Sequence, residues 1–138
     1  MDKKQLPLSP GDYRGRLTAA EVLQRYKDED LPAFCGIALT DVNQVGVFGE
    51  RPLDVAAVRG NPEEIVALLE GGAEVNAAGE HGHTALHEAV SQGNLAAVKL
   101  LVEFGALVDV RNEFGQTALD IACSRNRQDL VALLKGGA

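Results

Sequence analysis

One feature constrains this chain more than any other: three segments align at an interval of 33 residues, twice over. They are Gly49-Glu50-Arg51-Pro52-Leu53-Asp54-Val55-Ala56, Gly82-His83-Thr84-Ala85-Leu86-His87-Glu88-Ala89 and Gly115-Gln116-Thr117-Ala118-Leu119-Asp120-Ile121-Ala122. Gly72-Ala73 and Gly105-Ala106 recur at the same interval, as do Val75-Asn76 and Val108-Asp109. A period of this size means stacked supersecondary units, because one such unit cannot bury its apolar face alone.

The unit can be built from its residues. In the middle repeat, Ala85 to Gln92 predicts a short helix with Leu86, Ala89 and Val90 facing inward. Asn94 is placed to cap a second helix over Leu95 to Glu103, in which Val98, Leu101 and Val102 fall at helical spacing. The first repeat has Asn61-Pro62 at the same place, a cap followed by proline at the first helical position. Glu63 and Glu64 follow in the first turn, where the helix dipole favours negative charge. Glycine before Ala73 and Ala106 ends the second helix.

The period together with the Thr84-Ala85-Leu86-His87-Glu88-Ala89 core resembles the ankyrin repeat. The resemblance implies an all-α fold: a solenoid of about three helix-turn-helix repeats with hairpin loops. Within the motif, His87 is implied to make a structural hydrogen bond in the turn, with Asp54 and Asp120 in its place elsewhere. In the third repeat, Arg125-Asn126-Arg127 replaces the Gly-Asn of Gly60-Asn61 and Gly93-Asn94. Thr117 to Leu133-Leu134 also reads one residue shorter than Arg51 to Leu68-Leu69, so a tighter or distorted turn is expected there. The last helix pair is expected either to act as the cap or to leave apolar surface for a partner.

Ahead of the repeats, Thr18-Ala19-Ala20-Glu21 has the capping-box pattern, and Val22, Leu23 and Tyr26 follow at helical spacing. A capping helix ending near Asp28 is predicted to cover the first repeat. The connector Leu31 to Thr40 is expected to tuck its apolar residues into the same end. The organisation is then a flexible tail over 1–15, capping helix and connector over 16–40, and repeats over 41–138, dividing near 41–73, 74–106 and 107–138.

Composition narrows the function. Apolar residues make up 46% and aromatics only 4%, which suits closely packed helices built on Leu, Val, Ile and Ala. The formal charge is −7: residues 1–40 hold six basic and six acidic side chains, so the excess lies in residues 41–138, with 7 basic and 14 acidic. Nucleic-acid binding by phosphate neutralisation is therefore not expected. No run approaches the ~20 apolar residues of a membrane span, and the start, with Lys3 and Lys4 but no apolar stretch, is not a secretory signal. Cys35 and Cys123 are too few for a disulfide framework, so the protein is read as cytoplasmic, with reduced thiols.

Catalytic chemistry has little to stand on. His81, His83 and His87 lie close together, but His83 precedes the helix start, so His83 and His87 do not share a helical face. Cys123 aligns with Ala57 and Val90 and is expected in the core, and Cys35 has no neighbouring histidine. No nucleophile elbow or phosphate-binding glycine loop is present, and the pair Glu63 and Glu64 is explained by helix-start placement. No enzyme activity, metal or cofactor is expected.

The resemblance instead implies a concave face of loop tips and inner helices that binds protein. Carried over residue by residue, the first loop gives Val47, Phe48 and Glu50, the second Glu80, His81 and His83, and the third Glu113, Phe114 and Gln116. The inner helices add Val55, Arg59, Glu88, Gln92, Ile121 and Arg125. Phe48 and Phe114 have the character of interface anchors, with packing between neighbouring loops as the alternative. The acidic members point to a partner with a basic patch and an apolar pocket. Three classes of role follow: a binding module for one protein, in its narrower form an immunity protein or antitoxin against a toxin with a basic, nuclease-like cleft; self-association through Val131 to Leu134; and, least supported by the residues, an enzyme or metal sensor using His81, His83 and His87. A monomer or weak dimer is expected, without nucleic acid or membrane.

Overall fold

The computed structural model describes residues 17–136. Among them are seven α-helices and no strand: α1 Ala19–Asp28, α2 Pro52–Arg59, α3 Pro62–Glu70, α4 Ala85–Gln92, α5 Leu95–Glu103, α6 Ala118–Ser124 and α7 Gln128–Gly136. The flexible tail expected over 1–15 lies outside the described residues.

Six of the seven helices, α1 to α6, begin where the sequence supplies an acceptor for free backbone N–H groups. Thr18 and Glu21 form the expected capping box on α1: the Glu21 carboxylate accepts the Thr18 N–H at 2.9 Å, and the Thr18 hydroxyl accepts the Glu21 N–H at 3.2 Å. Asn61 and Asn94 cap α3 and α5 by accepting from Glu64 and Ala97. At the starts of α2, α4 and α6, Asp54, His87 and Asp120 accept the backbone N–H of Arg51, Thr84 and Thr117. A carboxylate and an imidazole nitrogen thus perform one task at one register.

The helices form two rows. The inner row stacks α2, α4 and α6; the outer row stacks α1, α3, α5 and α7, so the capping helix occupies the place of an outer helix. Ala56, Ala89 and Ala122, one per repeat, are fully buried where small side chains let paired helices approach. Leu53 and Leu86, Ile65 and Val98, and Leu68, Leu101 and Leu134 repeat the same burial around them. Phe34 and Leu39 of the connector are buried beside α1, as expected.

Asparagines tie each repeat to the next. Asn43 donates to the Gly72 carbonyl at 3.0 Å and accepts from the Glu74 N–H at 2.9 Å. Asn76 repeats the pattern one period on, with the Gly105 carbonyl at 3.3 Å and the Leu107 N–H at 2.8 Å.

A polar clasp that the sequence reading missed fastens α1 to α3. The Glu64 side chain is fully buried, and its carboxylate accepts the Tyr26 hydroxyl at 2.7 Å and pairs with Arg25 at 2.9 Å and Arg59 at 3.4 Å. Arg59 also grips Glu29 with two nitrogens, at 2.8 and 3.2 Å, and lies over the Tyr26 ring. Burial, reinforced by the bond to Glu64, holds the Tyr26 phenol well above its usual range. One and two periods on from Glu64 stand Ala97 and Leu130, both fully buried. The acid belongs to the one repeat that meets the cap.

Two expectations about the third repeat are corrected. The turn between α6 and α7 is not shortened: Asn126 adopts the left-handed conformation (φ 57°) that Gly60 and Gly93 adopt (φ 68° and 72°). Leu134, not Leu133, takes the place of Leu68 and Leu101, so the period survives unbroken. Asparagine tolerates this conformation better than other residues with a Cβ. Cys123 is exposed rather than in the core. Its equivalents Ala57 and Val90 are covered by the following repeat, and among the described residues none follows α6 and α7.

Candidate functional site

The loops that lead into the inner helices share one backbone design. Gly46, Gly79 and Asn112 donate to the carbonyls of Glu50, His83 and Gln116, and Gly49, Gly82 and Gly115 donate back to Gly46, Gly79 and Asn112. Those three glycines carry φ of 93°, 72° and 76°, values a residue with a Cβ adopts only under strain. The first loop is tied to the connector by the Val47 N–H on the Ala33 carbonyl, and the third to the second by the Glu113 N–H on the His81 carbonyl. The loop tips are thereby fixed as a row.

On that row, Val47 and Phe48 are 51% and 55% exposed, and Phe114 is 65% exposed. Phe114 does lean on its neighbours, with ring centroids 5.6 Å from His81 and 6.3 Å from His83. Even so, most of its surface stays open. The result is two aromatic projections, one on the first loop and one on the third.

Between the first two inner helices lies a groove of about 420 Å³. Five of the residues expected from the sequence line it: Glu50, Val55, Arg59, Glu80 and Glu88. Asp54, Val58 and Leu31 complete the wall, and none of these three was anticipated. Burial raises the Asp54 carboxyl to about 7, against the opposing backbone bond from Arg51, and nearby Glu88 adds to the rise. Glu88 is raised as well, by burial first and then by Glu80 and Glu50. The groove is therefore both apolar and strongly acidic.

The remaining candidates divide. Gln92, Arg125 and Glu113 are exposed, while Gln116 is half-buried, its carbonyl accepting from Asn112 and from His87. Ile121 does not line the face: it is only 6% exposed and joins the core. Its counterpart Glu88 must keep a carboxylate near water, whereas a branched hydrocarbon is drawn inward. Arg59 is at the groove but already engaged by Glu29 and Glu64.

The histidines do not form a ligand set. His87 is buried, with Nδ1 accepting the Thr84 N–H at 3.0 Å, so Nε2 carries the proton and donates to the Gln116 carbonyl at 3.0 Å. That is the structural bond the motif implies, and it bridges two repeats. Burial lowers the His87 and His83 pKa values, favouring neutral rings. His83 packs edge-on against His81 and His87, and its Nδ1 has no hydrogen-bond partner among the described residues. Among those residues no group of three or more His, Cys, Asp or Glu is placed to hold a metal ion. No helix of the described residues is long and apolar enough to cross a membrane.

One family model, described as ankyrin repeats in three copies, matches the chain over residues 19–111 and again over 53–138. No curated protein matches it.

Proposed function

The chain belongs to the ankyrin-repeat family, and from that premise we propose that it binds one partner protein through its concave face. Ankyrin repeats are in general protein–protein interaction modules, and the family is typically non-enzymatic. The observation that carries the reading is the pairing of two largely exposed aromatics, Phe48 and Phe114, with an acidic groove on the same row of loops. Buried aromatic anchors dominate most interface energies, and complementary charge sets orientation and speed of capture. The partner in this reading presents apolar pockets for the phenylalanines and a basic patch for Glu50, Glu80, Glu88 and Glu113.

Within it, an immunity protein or antitoxin is the narrower role supported by that acidity. A toxin that acts on nucleic acid presents a basic cleft, which the groove would complement.

The test is affinity capture from the native cell extract with wild type and a Phe48→Ala/Phe114→Ala double variant, followed by reconstitution with the purified partner. A partner held by wild type and lost by the variant supports the concave face. A partner held equally by both refutes the phenylalanines as the anchors of that face.

A further inference from the structure

Four carboxylates meet in the groove between α2 and α4, and little in the protein neutralises them. Asp54 is only 4% exposed; one of its oxygens accepts the Arg51 N–H at 2.9 Å. Glu50 accepts the Phe48 N–H at 3.0 Å. Glu80 and Glu88 make no side-chain hydrogen bond or ion pair among the described residues, although Glu88 is half-buried. Arg59, the cation on the groove wall, is turned to Glu29 and Glu64. Beside these acids lie Leu31, Val55 and Val58, the last 43% exposed.

Two kinds of cation would answer such a groove. A compact metal ion needs several oxygens converging on one point, and the described residues offer no such group. It would also leave the apolar wall uncovered. A lysine or arginine side chain answers both features, because its aliphatic stem covers apolar surface while its head stays among polar groups. We propose that this groove is the seat of one basic side chain of the partner, its stem against Val55 and Val58 and its charged head among Glu50, Asp54 and Glu88. The assignment rests on the concave-face reading and adds to it the chemical class of the central contact.

Titration behaviour agrees with this arrangement. The groups that face Asp54 are Arg51, Glu50 and Glu88, and those that face Glu88 are Glu80, Glu50 and His81. Burial and mutual repulsion raise both carboxyls. A seated cation favours their ionised forms and brings both values down.

The experiment uses the full chain and three blocked peptides, Gly-Gly-Arg-Gly-Gly, Gly-Gly-Lys-Gly-Gly and a norleucine analogue with the same stem and no charge. Methyl signals of Val55 and Val58 and carboxyl signals of Asp54 and Glu88 are followed by NMR at low salt, slightly above neutral pH. The basic peptides are expected to give saturable shifts at Val55 and Val58 and to lower the Asp54 and Glu88 midpoints. A Glu80→Gln/Glu88→Gln variant, checked for native circular dichroism, should bind them roughly tenfold more weakly or worse. Equal response to the norleucine peptide, no response to the basic ones, or undiminished binding by the variant would overturn the proposal. Partner capture separates the two readings. A partner lost by the phenylalanine variant but kept by the glutamine variant overturns this assignment alone. A partner kept by the phenylalanine variant, alongside the expected peptide shifts, overturns the concave-face anchors alone.

Discussion

Replacing Tyr26 by phenylalanine isolates the clasp between the capping helix and the first repeat. The change removes one hydroxyl and leaves the ring on Phe34 and under Arg59. What is lost is the 2.7 Å bond to a fully buried carboxylate. A hydrogen bond to a charged group contributes about 1.5–3 kcal/mol. Glu64 keeps Arg25 and Arg59, but Arg25 is 42% exposed and its attraction is screened by water, so neither replaces the hydroxyl. The expected loss is about 2 kcal/mol, or a fall in Tm of roughly 7 °C for a chain of this size. Circular dichroism melting measures the total. Native-state hydrogen exchange locates it: amides of α1 and α3 should lose protection while those of α6 and α7 keep theirs, because α1 packs on α3 whereas α6 and α7 pack on each other and on α4 and α5. A Tm within about 1 °C of wild type, equivalent to only a few tenths of a kcal/mol, would refute the clasp as a stabilising element. Uniform loss of protection along the chain would refute its confinement to the N-terminal end.

Three further outcomes are expected. Asp54 titrates near 7 in the fold and at its ordinary value of 3.8 when unfolded, so between those values the folded state binds the proton more tightly. Its contribution to stability is fully present at low pH and falls as pH rises through 7, by at most about 4 kcal/mol; urea unfolding should show this slope in wild type relative to Asp54→Asn. Asn126→Gly should stabilise by up to about 1 kcal/mol, since glycine adopts the left-handed φ of 57° without strain, and a lower urea midpoint would count against the corrected turn. Both Cys35 and Cys123 are exposed, so two thiols should react with a chromogenic disulfide reagent in the native protein; slow reaction of Cys123 would return it to the core.

Much of the architecture was legible because it is local and repeated. Thr18, Asn61 and Asn94 announce helix starts through their own side chains, and recurrence at one period multiplies each weak signal. Contacts between unlike elements were not legible. Glu64 reads as a dipole-favoured first-turn acid, and nothing local tells that Tyr26, 38 residues earlier, will donate to it. A comparison down the period, with Ala97 and Leu130 at the same register, was the signal available. The same comparison, made by strict period rather than by matching the leucine pair, would have kept the third repeat in register. Of the groove acids, Glu50, Glu80 and Glu88 were expected from loop and inner-helix register, whereas Asp54 read only as the turn-bonding residue of its repeat. Ile121 and Cys123 were misplaced because burial there depends on what lies beside them, which residue type alone does not encode.

The asparagine rungs have a mechanical consequence. Each rung joins one repeat only to the next, through the two bonds of Asn43 or of Asn76. One period further on stands Asp109, whose carboxylate has no N–H to donate. Load applied to the two ends therefore passes through the links in series rather than being shared among them. Under tension the protein should lengthen in small successive yields, beginning at α6 and α7 and ending at the first repeat, where the buried carboxylate rivets α1 in place. A partner pressed along the concave face would span several links at once and stiffen the whole against such peeling.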